Sequence, residues 1–193
     1  MLNLVRQRRF LSTFYELFPQ TFPKKAPVWN FNERQLRKEY RNLQAQHHPD
    51  MLGGNLSQEV SSSGGNYSSL LNKAYHTLKE PLPRSQYMLK VLNNMDLTEE
   101  RLSQSIMQSD PSILMQVLDT HEQLEEVLSE EDVRNIDLEN RDRIKGIESQ
   151  LQECYETMDY GRAARLTVEL KYWVNLAKAI KEWQPGKPVT INH

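Results

Sequence analysis

One cysteine in 193 residues leaves this chain little covalent or metal chemistry of its own. Cys154 has no second thiol to pair with, which excludes an internal disulfide and any zinc or iron–sulfur site built from several of the chain's cysteines. It reads as a small core residue. No apolar run approaches the roughly 20 residues that span a bilayer, so no membrane insertion is expected. The seven glycines are never followed by Gly-Lys-Ser or Gly-Lys-Thr, so no phosphate cradle forms. A Gly-x-Ser-x-Gly elbow, a metal-ligand cluster and a glycine-rich nucleotide fingerprint are absent too, and no cofactor is expected. Strand-like alternation is missing throughout, which points to an all-α fold.

Excess charge is missing as well. With 24 Lys and Arg against 26 Asp and Glu the net charge is only −2, and the basic, aromatic-laced footprint of a nucleic-acid reader is not present. The charge is unevenly spread, however. Residues 1–50 hold nine basic and four acidic side chains, whereas 51–193 hold fifteen and twenty-two. Two functional halves are implied, one basic and one acidic.

The basic half contains the most informative stretch. Leu36, Tyr40, Leu43 and His47 recur at helical spacing, with Arg34, Arg37, Lys38 and Arg41 on the opposite side of the wheel. Asn32 can cap the start of this helix. Pro49 pushes the residue before it out of helical geometry, so the helix should end near His47 or His48. A rigid basic rod therefore delivers His48, Pro49 and Asp50 into a loop, where function concentrates.

Around this rod the chain reads as short elements. Met1–Leu11 carries Arg6, Arg8 and Arg9 with no acid and reads as a mitochondrial presequence, the alternative being a plain basic terminus. Phe14, Tyr15, Leu17 and Phe18 form an aromatic patch before a connector stiffened by Pro19, Pro23 and Pro27. Met51–Ser69, rich in Ser and Gly, reads as a flexible surface loop. Helical spacing resumes at Leu70, Leu71, Ala74, Tyr75 and Leu78 until Pro81, and a short helix follows over Tyr87–Leu92. Residues 94–108 read as a polar linker.

The remainder reads as a three-helix bundle over 109–185, with a tail over 186–193. Asp110 and Pro111 start its first helix as cap and first-turn residue. The second is expected from about Asp137 to Met158, with Ile144, Ile147, Leu151, Cys154 and Met158 on one stripe. The third is expected from about Asp159 to Trp183, with Ala163, Leu166, Leu170, Trp173, Ala177 and Ile180 facing inward.

In the first bundle helix Ile113, Val117, Leu124, Val127 and Leu128 suffice for packing. Leu114 and Leu118 lie about 100–140° around the wheel from them. On the third helix Tyr172 is offset similarly, with Leu176 and Trp183 on a similar side. Such surplus apolar surface marks either a partner site or a wider core. The acidic run Glu122, Glu125, Glu126, Glu130, Glu131 and Asp132 matches no calcium loop and reads as a solvated face and turn.

His48 and Asp50 admit two chemistries. As an enzyme, His48 would be a general base oriented by Asp50, but nothing else of such a site is present. As a binding element, Asp50 offers a carboxylate to a partner arginine, Pro49 fixes the loop and His48 holds the turn. Arg37, Lys38 and Arg41 would then steer an acidic partner surface toward it.

A basic helix ending in His48-Pro49-Asp50, a loop, and a helix carrying Leu70, Ala74, Tyr75 and Leu78 resembles a J domain of the DnaJ class. Followed by an acidic three-helix bundle, the arrangement resembles the HscB family of iron–sulfur cluster biogenesis co-chaperones. The segments Leu43–Asp50, Ala74–Tyr87, Ser109–Asp119 and Val168–Trp183 are most similar to its fungal mitochondrial, Jac-type branch. The resemblance implies an all-α fold, with a J domain over 12–93 (a helical hairpin with short flanking helices) before the three-helix bundle.

It also implies a co-chaperone of the mitochondrial matrix with no catalytic site of its own. Such a protein stimulates ATP hydrolysis by a 70-kDa heat-shock (DnaK-type) chaperone and delivers an iron–sulfur cluster scaffold of the Isu/IscU type. By position, His48, Pro49 and Asp50 are the activating signature, and Arg37, Lys38 and Arg41 the docking face. Leu114, Leu118 and Tyr172 are the scaffold contacts, with Ile113, Gln116, Asp119 and Glu122 as weaker ones. Two departures stand out. The loop after Asp50 is long and Ser/Gly-rich, and Met51 occupies the position where a basic residue is usual. The cysteine-rich, zinc-binding start of some animal relatives is lacking, so no metal is expected. A J-domain protein with a different client and a His-based hydrolase are the alternatives.

Overall fold

The computed structural model describes residues 13–47, 58–108 and 110–185, and all regular structure among them is helical. The presequence, the His-Pro-Asp turn and the tail expected from the sequence lie outside the described residues. The chain divides into two compact units, 1–79 and 80–193.

In the first unit a short 3-10 helix (Phe14–Leu17) precedes α1 (Glu33–His47) and α2 (Gln58–Lys79). Asn32 caps α1 as expected, its Oδ1 accepting from the Gln35 N–H at 3.1 Å. The two helices run antiparallel, since Tyr40 meets Asn72 and Tyr75 while Gln44, one turn on, meets Ser68 and Asn72. The Tyr40 and Tyr75 rings stack at 4.0 Å. Tyr15, Phe18, Phe22, Trp29, Leu36, Leu71, Ala74 and Leu78 make the core. Leu70 does not join it and stays 40% exposed, because its neighbour Leu71 takes the inward position.

The second half of the expected loop is helix instead, since α2 starts at Gln58 and contains Gly64 and Gly65. Each glycine weakens a helix by about 1 kcal/mol relative to Ala. Tertiary bonds contribute against that cost near the end of this stretch, where the Ser68 hydroxyl and the Gln44 side-chain oxygen lie 2.7 Å apart.

The second unit holds α3 (Pro81–Asn93), α4 (Glu100–Gln108), α5 (Pro111–Glu126), α6 (Glu130–Thr157) and α7 (Tyr160–Glu182). α5, α6 and α7 form the expected bundle, and α3 and α4 add to it by packing on α7. The unit boundary after Lys79 thus precedes the expected J-domain end, because α3 packs on α7. The expected linker contains α4, whose Ser103 and Met107 are buried, as is Leu97 before it. The Ser103 hydroxyl donates to the Leu97 carbonyl at 2.8 Å and closes the turn that leads into α4.

α7 is central because its sequence is apolar nearly all round: Ala163, Ala164, Leu166, Val168, Leu170, Trp173, Leu176, Ala179 and Ile180 are all buried. Leu176 is therefore core and does not belong to the surplus surface with Tyr172. A buried hydroxyl cluster ties three helices together. Ser85 Oγ of α3 lies 2.7 Å from the Tyr155 hydroxyl of α6 and 2.5 Å from Thr167 Oγ1 of α7. Burial pushes the Tyr155 phenol pKa up.

α6 begins seven residues before the expected start at Asp137. Ser129 caps it, its Oγ accepting from the Asp132 N–H at 3.1 Å, and Glu130, Glu131 and Asp132 fill the first turn, where the helix dipole favours acids. Met158, expected on the inner stripe, is instead the exposed left-handed C-cap, with φ 58°. Leu128 also leaves its expected stripe and is 85% exposed, since α5 stops at Glu126 and the chain turns extended at Val127.

Candidate functional site

Two surfaces carry the residues singled out above. On α1, Arg34, Arg37, Lys38 and Arg41 are all exposed along the solvent side while Leu36 is buried. The helix ends at His47, and the following His48, Pro49 and Asp50 lie outside the described residues.

An acid sits among these cations and was not legible from the pattern. Glu39 is buried, and its carboxylate accepts from the Gln20 N–H (2.8 Å), the Thr21 N–H (2.8 Å) and the Thr21 hydroxyl (2.7 Å). Three donors compensate the burial of the charge. The side chain thereby ties the segment after the aromatic patch to the helix that bears the basic face. Gln35 adds a bond from the same helix to the Gln20 carbonyl. The only sequence signal was an acid in the middle of a basic helix.

The second surface is on α5. Asp110 caps it, its carboxylate accepting from the Ser112 N–H at 3.2 Å and the Ser112 hydroxyl at 2.5 Å, and Pro111 occupies the first turn. Val117, Thr120 and Leu124 face inward. The offset leucines stay outside: Leu114 is 39% and Leu118 50% exposed. Met115, not among the residues expected at this surface, is 64% exposed and extends it. Its signal was available, since it is adjacent to Leu114 and shares no stripe with Val117. Ile113 is half-buried, and Gln116, Asp119 and Glu122 are exposed around the leucines.

Tyr172 is half-buried on α7, the helix against which α5 packs. Its neighbour Trp173 is fully buried and fixes the rotation of α7. The indole N–H of Trp173 donates to Glu169 Oε1 at 3.2 Å, and the Arg143 guanidinium lies 4.8 Å over its ring. The Asn140 amide of α6 donates to the Trp173 carbonyl at 3.1 Å. Burial pushes the Glu169 carboxyl pKa up, against the Trp173 hydrogen bond that lowers it.

Chemically, the first surface can attract and orient an acidic protein surface, and the second can desolvate against an apolar one. Cys154 is buried, with its thiol pKa raised by desolvation, which is the environment of an inert core cysteine. Among the described residues no group of three or more His, Cys, Asp and Glu side chains is placed to hold a metal ion. No described helix is long and apolar enough to cross a membrane.

Comparison with known proteins adds the following. Residues 109–181 match the family model described as the HSCB C-terminal oligomerisation domain. The whole chain aligns with the whole of the mitochondrial J-type co-chaperone JAC1 of Saccharomyces cerevisiae at 55% identity over 193 residues. The iron–sulfur cluster co-chaperone protein HscB of Mus musculus is 28% identical over 146 residues, covering 76% of this chain and 60% of the mouse protein. Among solved structures, a Jac1 co-chaperone from S. cerevisiae (the 5–182 clone) superposes with a TM-score of 0.81 at 55% identity. That match covers 95% of this chain and 100% of the yeast one.

Proposed function

This chain belongs to the HscB family of J-type co-chaperones, and on that premise we propose that it triggers one protein while holding another. The trigger is His48-Pro49-Asp50, which stimulates ATP hydrolysis by a mitochondrial 70-kDa heat-shock chaperone of the DnaK type. Arg37, Lys38 and Arg41 dock the basic face of α1 on that chaperone and hasten the encounter. The held protein is an iron–sulfur cluster scaffold of the Isu/IscU type. It binds through Leu114, Leu118 and Tyr172, with Ile113, Gln116, Asp119 and Glu122 at the margin.

Holding the scaffold raises its effective concentration at the chaperone, so that hydrolysis traps it and promotes cluster transfer. The cluster is cargo, and the chain itself performs no covalent step. The mitochondrial labels of the yeast relative and the Arg-rich, acid-free start of the chain support action in the matrix.

The observation that carries this reading is the exposure of Leu114 and Leu118 on a helix whose inward stripe is already complete. Exposed apolar side chains grouped on one helix, with polar residues around them, are the anatomy of a protein contact. Asp50→Ala tests the division of labour. Chaperone stimulation should be lost while scaffold affinity stays within about twofold. Parallel loss of scaffold binding in a folded variant would refute it.

A further inference from the structure

A groove of about 230 Å³ runs between α4, α5 and α7, wholly inside the C-terminal unit. Its apolar lining includes Ile106, Met107, Ile113 and Leu166. Met107 and Leu166 are buried, whereas Ile106 and Ile113 are half-exposed and give the groove a wettable apolar wall. The volume lies below the roughly 300–1,000 Å³ of small-molecule sites, so it suits a single side chain better than a metabolite.

Four charged residues also line the groove, and three are engaged. The Asp110 carboxylate is occupied by Ser112. Arg162 donates to Glu153 at 3.2 Å and to Gln150 at 3.1 Å. Glu169 accepts from the Trp173 indole. Arg165 is exposed and, alone of the four, makes no hydrogen bond or ion pair with the described residues.

The groove adjoins the scaffold surface on both of the helices that build that surface. Ile113 directly precedes Leu114 on α5. Arg165 stands seven residues before Tyr172, about two turns along the same face of α7.

We infer that this groove extends the scaffold contact, taking one apolar side chain of the scaffold that stands beside a carboxylate, with the carboxylate paired to Arg165. The inference rests on the scaffold reading above and adds the chemistry of the segment held. The apolar side chain displaces water from Ile106 and Ile113. The guanidinium binds the carboxylate in forked geometry at the rim and sets the register in which Leu114, Leu118 and Tyr172 are met.

The test is titration of the full chain with the cluster-free scaffold. Arg165→Glu should weaken binding about tenfold and Arg165→Lys by less, because lysine keeps the charge and loses the fork. Ile106→Glu should weaken binding through the apolar wall. In a scan replacing the scaffold's carboxylates by Lys, at least one replacement should restore binding to the Arg165→Glu variant. Helical circular dichroism and chaperone stimulation measured without scaffold should be unchanged, which separates lost contact from lost fold. If Leu114→Ala/Leu118→Ala/Tyr172→Ala abolishes binding while both groove variants stay within about twofold, the groove is outside the interface and the inference falls alone. If the triple variant also binds normally, the scaffold reading falls and the groove inference with it.

Discussion

α1 and α5 are nearly the same length, 15 and 16 residues, and present opposite chemistry to solvent. α1 exposes four cations, whereas α5 exposes two leucines and a methionine. On the proposed reading, the difference lets one chain address two partners without confusing them. Charge acts at a distance, is weakened by salt and mainly sets encounter rates. Apolar surface acts on contact, resists salt and mainly sets dissociation. The helices also differ in how they are held. α1 is tied to its own unit by a buried acid, Glu39, and α5 by an apolar stripe and a capped first turn.

The contrast breaks most visibly on the apolar side. Replacing Leu114, Leu118 and Tyr172 together by Ala should weaken scaffold binding by several kcal/mol, which is a hundredfold or more in affinity. Calorimetric titration reads this directly, and chaperone stimulation without scaffold should be untouched. Unchanged affinity in the folded variant would reduce the strip to surplus core.

A smaller effect is expected at Glu39. Glu39→Ala leaves the Gln20 and Thr21 N–H groups and the Thr21 hydroxyl without their acceptor, and should cost about 2–3 kcal/mol in urea unfolding of the N-terminal unit. Glu39→Gln should cost less, since one amide oxygen still accepts. If both substitutions leave stability unchanged, the buried carboxylate is not what fixes this segment.

The smallest change belongs to the cations. Neutralising Arg37, Lys38 and Arg41 singly should slow association with the chaperone a few-fold each and flatten its dependence on ionic strength. Scaffold affinity should not respond. Equal salt dependence of the two partners' binding would erase the contrast between α1 and α5.

Much of this architecture was legible from residues. Asn32, Asp110 and Asp159 cap the helices they were expected to start, because short polar side chains before a periodic run satisfy the first free N–H groups. The outward position of Leu114 and Leu118 followed from wheel geometry alone. What failed shares a cause: local composition concealed tertiary support. Gln58–Ser69 reads as loop by its Ser and Gly, and its helical state draws support from contacts with α1 that no local pattern displays. α4 is nine residues long in a polar segment, below the length at which periodicity persuades. The acids Glu130–Asp132 resemble a turn, yet they occupy the first turn of a helix where acids are favoured. Glu39 could not be recognised as buried, because its donors lie about eighteen residues away. The groove beside Arg165 is equally hidden, since the polar composition of residues 94–108 gives no sign of α4.

The most direct measurement of the central claim is single-turnover ATP hydrolysis by the mitochondrial 70-kDa chaperone, with wild-type chain, Asp50→Ala and the Leu114/Leu118/Tyr172 triple Ala variant, each with and without scaffold. Wild type is expected to stimulate hydrolysis, and more strongly with scaffold present. The triple variant should retain the basal stimulation and lose only the scaffold-dependent increment, and Asp50→Ala should lose both. An increment that survives in the triple variant, or stimulation that survives in Asp50→Ala, would contradict the assignment of trigger and hold to separate surfaces.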